Sequence, residues 1–459
     1  MFKCLRLRGV LLGLALLLAL TSACSNNAGN SKLEGKLEGP LKVMYVHEGL
    51  FFQKYGNLFI TKYPGVELEV VNSQWMFNYA GEDINKALQQ YVEERQPDVI
   101  LLNESNYSYA VDNGMMFPLD SVIQQDQFDL DSILPFVTES LKEQGAGMLY
   151  GLAPTFSGSA LYYNMDLFQM YNIELPRDRM SWQELFALAE RFPTNGSGGE
   201  RIYGLTSSTT SSNAIFDLLS NVARTHGLFY TSADGTSLTM DSEAWRTIYE
   251  NIVKAYKSGA IFDPSSDFFS EDLFLKEQAA MVLEGSYYLN QIKQAEDQSG
   301  STINWGLATI PVDPAEPDAT IAMGLTEIFG INANSPNKKL AWEFIKYING
   351  PEVAKTLSRT TDGSLSVRSS FVSEMNGRSL AAFYELTKPR NFNKRYEHLP
   401  QGFEDAFAEI VSQETTSILE NKQTIDEAFQ HIKERGSQEL QQAHEKGSIT
   451  KKTSRKLKS

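Results

Sequence analysis

Residues 41–102 alternate two kinds of pattern, and no other stretch constrains the fold as tightly. Leu41 to Val46 reads as a strand. Phe51, Phe52, Tyr55, Leu58, Phe59 and Tyr63 then recur at helical spacing until Pro64-Gly65 stops them. Val66, Leu68 and Val70 mark a second strand, and Ile84, Ala87, Leu88 and Tyr91 a second helix. Val99-Ile100-Leu101-Leu102 is a third strand with no polar break. Apolar strands alternating with amphipathic helices are the sequence form of a parallel sheet covered on both faces. In such sheets ligands sit beyond the carboxyl ends of the strands. Those ends read His47-Glu48-Gly49, Asn72-Ser73-Gln74-Trp75 and Asn103-Glu104-Ser105, all polar or aromatic, as a binding crevice requires.

The middle of the chain is richer in helix, so the class is α/β. Ser181-Trp182-Gln183-Glu184 is a capping box ahead of Leu185, Leu188, Ala189 and Phe192, and Thr424 with Glu427 forms another before Ala428, Phe429 and Ile432. Asp241 opens a helix carrying Trp245, Ile248, Tyr249 and Tyr256, closed at Gly259. Ser335-Pro336 starts one with Leu340, Ala341, Phe344, Ile345 and Ile348 on one side, ending at Gly350-Pro351. Asn195 to Glu200 and Val312 to Asp318 read as flexible. With 459 residues, 42% of them hydrophobic, the chain can build more than one core. A formal charge of −16 argues against nucleic-acid binding, which needs a basic face, and suits a soluble monomer.

The first 23 residues have the form of a signal peptide. Lys3, Arg6 and Arg8 make a positive start, and Val10 to Leu20 is an apolar and glycine run of 11, whereas a membrane-spanning helix needs about 20 residues. Leu20-Thr21-Ser22-Ala23-Cys24 resembles a bacterial lipobox, with Thr21 where Leu is usual. Cys4 leaves with the leader, so Cys24 would be the one mature cysteine, with no disulfide partner. Lipidation of Cys24 would give it a use and place the protein on the extracytoplasmic face of the cell membrane. Residues 24–40, with Lys32-Leu33-Glu34-Gly35 repeated as Lys36-Leu37-Glu38-Gly39, read as a flexible tether. Residues 446–459, with Lys446, Lys451, Lys452, Arg455, Lys456 and Lys458, read as a basic disordered tail.

Motifs for catalysis, metals and cofactors do not assemble. The histidines His47, His226, His398, His431 and His444 show no metal spacing. There is neither a G-x-S-x-G elbow nor a Walker loop. Gly145 to Gly151 is one residue too long for a dinucleotide fingerprint and runs into Pro154 instead of a helix. Asp126 to Asp131 lacks the glycine and final glutamate of a calcium loop, and helix capping accounts for it better. A glycosidase carboxylate pair cannot be picked out of 57 acids.

Four ordered stretches carry a family resemblance. They are Gly151-Leu152-Ala153-Pro154 with Leu161 to Phe168, Ala279 to Tyr287, Gly330 to Phe344, and Asn421 to Ala428. On these the chain resembles the family 1 extracellular solute-binding proteins of bacterial ABC importers, the group containing the maltodextrin-binding proteins. The resemblance implies a periplasmic-binding-protein-like fold of two discontinuous α/β lobes, with three crossings and a ligand cleft between them. The N-terminal lobe would be 41–155 and 318–362, the C-terminal lobe 156–317 and 363–445. It further implies a protein without catalytic activity or cofactor that captures a solute and presents it to two permease subunits.

Joined to the strand-end reading, the resemblance puts ligand-binding residues at His47, Glu48, Trp75, Asn103, Glu104, Phe156, Ser157, Tyr287, Glu327 and Arg368. Tyr287 stands where the family often has Trp. Acids and amides fork hydrogen bonds to vicinal hydroxyls and a flat ring covers a pyranose face, so the expected solute is a neutral carbohydrate, an oligosaccharide above all. Two other classes fit a secreted chain of this kind: a polysaccharide-degrading enzyme, and a sensing lipoprotein that feeds a signalling kinase.

Overall fold

The computed structural model describes residues 33–79, 83–195, 201–206, 213–262, 272–300, 302–359, 363–371, 374–375, 377–388, 399–400 and 402–457. The expected signal peptide 1–23, Cys24, residues 24–32 of the expected tether, residues 196–200 of the expected flexible stretch, and His398 lie outside them. In chain order the main strands are β1 (Gly39–Tyr45), β2 (Val66–Asn72), β3 (Val99–Leu102), β4 (Gly151–Leu152), β5 (Thr155–Asn164), β6 (Leu205–Thr206), β7 (Ile261–Phe262), β8 (Met281–Gly285), β9 (Trp305–Thr309), β10 (Met323–Gly324), β11 (Ile328–Ile331) and β12 (Leu365–Ser366).

The chain forms two compact units. Of the described residues, the first takes those from 33 through Asp131, with Leu141–Leu152 and Phe329–Ile348; the second takes Ser132–Ser140 and those described within Ala153–Ile328 and from Asn349 on. Residues 132–140, 153–155, 318–328 and 349–359, expected in the N-terminal lobe, fall in the second unit by this division. In 318–328 the reason is pairing, since β10 lies antiparallel on β5. Asn349 O accepts from Arg368 Nε at 2.7 Å, also within the second unit.

The first unit holds a sheet in the order β2-β1-β3-β11-β4. β1 runs parallel to β2 from Gly39↔Val66 to Tyr45↔Asn72, and parallel to β3 at Val43↔Val99. All four residues of β3 are buried, as its unbroken apolar run requires, whereas edge strand β2 exposes Glu67 and Asn72. The helix expected over 51–63 is interrupted. Helical turns at Glu48–Phe51 and Asn57–Lys62 flank a π-helical turn over Phe52–Gly56. The Phe52 ring packs on Gly56, where a Cβ would stand 2.8 Å from Phe52 Cδ1.

The second unit is organised by β5. Its first half pairs with β10 and β12, and its second half with β8 and β9, all antiparallel. β6 joins β8 and β7 in parallel. Helices Trp182–Ala189, Ala214–Thr225, Glu243–Lys257, Phe403–Leu419 and Ile425–Leu457 bury Trp182, Trp245, Tyr249, Phe403 and Phe407 in a common core.

Three expectations change here. The backbone of 446–457, expected to be disordered, continues the helix that starts at Ile425. Val312–Asp318 is tied down: Val312 is buried, Asp313 pairs with His226 at 3.1 Å, and Asp318 pairs with Arg179 at 2.9 Å. Asp126 does more than end a helix, because its Oδ2 accepts from Trp342 Nε1 at 2.9 Å and Lys346 Nζ at 2.8 Å.

Candidate functional site

In the first unit, β1, β2 and β3 are parallel neighbours, so their carboxyl ends open on one edge of the sheet. The sequence reading pointed to the loops on this edge. His47 follows β1 and caps Glu48–Phe51, its Nδ1 accepting from Gly49 N at 3.2 Å. A neutral ring with Nδ1 as acceptor carries its proton on Nε2. His47 and Glu48 are both exposed.

Beyond β2 the chain turns through the 3-10 helix Gln74–Asn78. The Trp75 ring lies 5.1 Å from that of Tyr91 and 5.8 Å from that of Tyr79. Its buried Nε1 has no hydrogen-bond partner among the described residues. Phe77, which no sequence pattern singled out, is 74% exposed on the same turn.

Beyond β3, Asn103 caps Glu104–Asp112. Its Oδ1 accepts from Ser105 N at 3.0 Å and Asn106 N at 3.2 Å, while Asn106 Oδ1 accepts from Asn103 N at 3.0 Å. The amide oxygen of Asn103 is thus occupied by its own helix. Glu104 sits in the first turn, where a carboxylate is favoured by the helix dipole.

In the second unit the candidates gather around the first half of β5. Ser157 Oγ donates to Gly324 O at 3.3 Å, and Thr155 Oγ1 donates to Glu327 Oε2 at 3.3 Å. Tyr287 follows β8 and is 48% exposed, with its hydroxyl donating to the Glu284 carboxylate. Behind it, burial first and then the Glu284 charge push the Tyr162 hydroxyl well above its ordinary value, and that hydroxyl donates to Gly285 O at 3.0 Å.

Two candidates are packing residues. Phe156 is 1% exposed, its ring 5.4 Å from Phe136 and 5.2 Å from Tyr384 in edge-to-face contact. Arg368 is 3% exposed, with Nε donating to Asn349 O at 2.7 Å and Nη1 to Ser132 Oγ. Neither presents its functional group to solvent. The buried acid Glu284 escaped the sequence reading, although a carboxylate three residues before the aromatic of the Gly285-Ser286-Tyr287 loop is a signal that could have found it.

A cavity of about 410 Å³ in the first unit lies elsewhere. Pro40, Lys42 and Asp98 place it by the amino ends of β1 and β3, where Glu93, Asn334 and Asn337 also line it. Among the described residues no cluster of His, Cys, Asp or Glu could hold a metal ion, and no helix is long and apolar enough to cross a membrane.

Two discontinuous α/β units with loops converging at the carboxyl edge of a parallel sheet define a periplasmic-binding-protein-like architecture. Residues 55–379 match the bacterial extracellular solute-binding protein family, and the chain belongs to it. The sn-glycerol-3-phosphate-binding periplasmic protein UgpB of Agrobacterium fabrum is 22% identical over 381 residues, a match taking in 79% of this chain and 84% of that one. Among solved structures, the sugar-binding protein MalE from Xanthomonas citri superposes with a TM-score of 0.64 at 16% identity, over 88% of this chain and 98% of the other. A Listeria monocytogenes ABC substrate-binding protein in complex with cycloalternan gives 0.59 at 17% identity, over 87% and 98%. These structural likenesses are of fold. The chain is a bacterial extracellular solute-binding protein by family, and the relatives and neighbours named here are themselves described as binding proteins.

Proposed function

We propose that this protein captures a neutral carbohydrate, an oligosaccharide, outside the membrane and delivers it to the two permease subunits of an ABC importer, working as a monomer and catalysing nothing. Lipidation at Cys24 anchors it to the extracytoplasmic face of the cell membrane. The solute-binding residues are His47, Glu48, Trp75 and Glu104 of the first unit, with Asn103 through its amide nitrogen, and Ser157, Tyr287 and Glu327 of the second.

The observation that carries the reading is the charge of this set. It contains the acids Glu48, Glu104 and Glu327, while the one guanidinium among the candidates, Arg368, is buried on protein groups. A phosphorylated or carboxylated solute calls for several charge-assisted donors. Acids, amides and rings suit hydroxyls and pyranose faces. The sugar-binding neighbours named above agree with this, and the UgpB relative supplies the competing solute for the test.

A thermal-shift screen of the protein against maltooligosaccharides, other neutral glycans and sn-glycerol-3-phosphate decides between them, because bound ligand stabilises by RT ln(1 + [L]/Kd). A neutral oligosaccharide should raise the melting temperature and be recovered unchanged. A shift with sn-glycerol-3-phosphate alone overturns the carbohydrate reading. Hydrolysis of the glycan overturns the transport reading.

A further inference from the structure

The loop after β8 holds Tyr287 at three points. Its hydroxyl donates to Glu284, a carboxylate only 6% exposed on β8 opposite Ala160. Its ring fills the space beside Gly285, where a Cβ would stand 2.6 Å from Tyr287 Cε1 and 2.7 Å from Cδ1. Its backbone is approached as closely by Gly363, where a Cβ would stand 2.5 Å from Tyr287 Cα. Gly363 has φ +79°, a conformation glycine adopts without strain. Ser286 locks the same turn, with Oγ donating to Gly363 O at 2.5 Å and N donating to Gly158 O at 2.8 Å.

A half-exposed tyrosine has no need of such fixing for folding. A tyrosine on the surface can leave its hydroxyl to water, whereas a buried carboxylate is costly to keep unless hydrogen bonds hold it. Glu284 therefore works as the fixed end of a tether whose other end is an aromatic ring open to solvent. Ordering a ring before its ligand arrives removes that entropy cost from the binding step.

We infer that Glu284 is a positioning residue for solute binding: it holds the Tyr287 ring in the slot left by Gly285 so that the ring is a preset platform for a sugar face. The inference rests on the proposal that Tyr287 contacts the solute. It assigns the buried acid a role in affinity that Glu284 exerts through the Tyr287 ring.

The test has two arms on the full chain. In the first, 3-fluorotyrosine is placed at position 287 by nonsense suppression and its fluorine resonance is recorded without solute. A single resonance away from the free amino-acid position is expected in the otherwise unchanged protein and in Glu284→Gln, whose amide oxygen still accepts. In Glu284→Ala it should move towards the free position, with circular dichroism confirming the fold. In the second arm, calorimetric titration with maltotetraose compares Glu284→Ala, Glu284→Gln, Tyr287→Phe, Tyr287→Ala and the Glu284→Ala/Tyr287→Phe pair. Losing the hydrogen bond from either end should weaken binding about tenfold, with the pair no worse than either single change and Glu284→Gln near the parent.

An unmoved resonance in Glu284→Ala overturns the inference without any solute. Additive losses in the pair, or undiminished affinity in Glu284→Ala while Tyr287→Ala weakens binding, overturn it and leave the solute site standing. Indifference of Tyr287→Ala itself overturns both.

Discussion

Ser335 Oγ donates to Asp98 Oδ1 at 2.5 Å, joining residues 237 apart in the chain. The second oxygen of the same buried carboxylate accepts from Lys42 N, on β1, at 2.9 Å. One side chain ahead of β3 thus binds the segment that returns with β11 to the strand that begins the sheet. The discontinuous first unit is closed at this point.

Asp98→Ala should destabilise the protein by about 3 kcal/mol, because a backbone N–H and a buried hydroxyl lose their acceptor together. Asp98→Asn keeps one acceptor oxygen and should lose less. Urea unfolding reads the effect as a lower midpoint at unchanged slope. A midpoint within error of the parent's would remove Asp98 from this role.

Tyr287→Ala should weaken oligosaccharide binding by something on the order of 1–3 kcal/mol, through lost ring contact and burial. Affinity should hardly change between low and moderate salt, since no net charge is paired with a neutral solute. Calorimetric titration at two salt concentrations measures both effects. A steep fall with salt would point to an anionic solute.

Glu414 ties the helix Phe403–Leu419 to the helix Ile425–Leu457. It accepts from Arg435 Nη1 at 2.6 Å and Gln423 Nε2 at 2.8 Å, and its Oε2 lies 3.1 Å from His431 Nδ1. Burial works against the charge, but hydrogen bonds from Gln423, Arg435 and His431 outweigh it and hold the carboxyl below its ordinary value. A carboxyl lowered in the folded state stabilises fully above its unfolded value of about 4.3 and loses that contribution as pH falls through the folded value. Glu414→Gln should therefore cost about 2 kcal/mol at neutral pH, with the gap to the parent closing in acid. Denaturant midpoints of both proteins from neutral pH downwards test this, and a gap that stays constant into acid would contradict it.

If the proposed acyl chains on Cys24 hold the protein at the membrane, Cys24→Ala should leave it soluble or uncleaved. Membrane fractionation with mass spectrometry of the N-terminal peptide is the measurement. An unmodified Cys24 in the mature protein would rule the anchor out.

The segment from β1 to β3 was readable without coordinates because its signals are repetitive and short-ranged. Val99 to Leu102 is apolar throughout, and all four residues are buried as that pattern requires. The capping boxes at Ser181 and Thr424 were readable for the same reason, each being complete within four residues. The π-helical turn at Phe52–Gly56 was not readable. Its apolar residues still follow helical spacing, and what differs is how the Phe52 ring meets Gly56.

The sequence by itself determined the α/β class, the edge where His47, Trp75 and Glu104 stand, and the places where these helices begin, because side-chain periodicity and cap hydrogen bonds act over a few residues. Partners across the chain were decided only by the tertiary structure. Asp126, which reads as a helix cap, accepts from Trp342 and Lys346. Phe156 and Arg368, which read as ligand contacts, are enclosed by Phe136 and Tyr384, and by Asn349 and Ser132. Glu284, which lay in a family-like stretch but was not among the expected ligand-binding residues, is buried with the Tyr287 hydroxyl on it. Burial and pairing depend on every segment that folds back against a residue, and a window along the chain contains none of those segments.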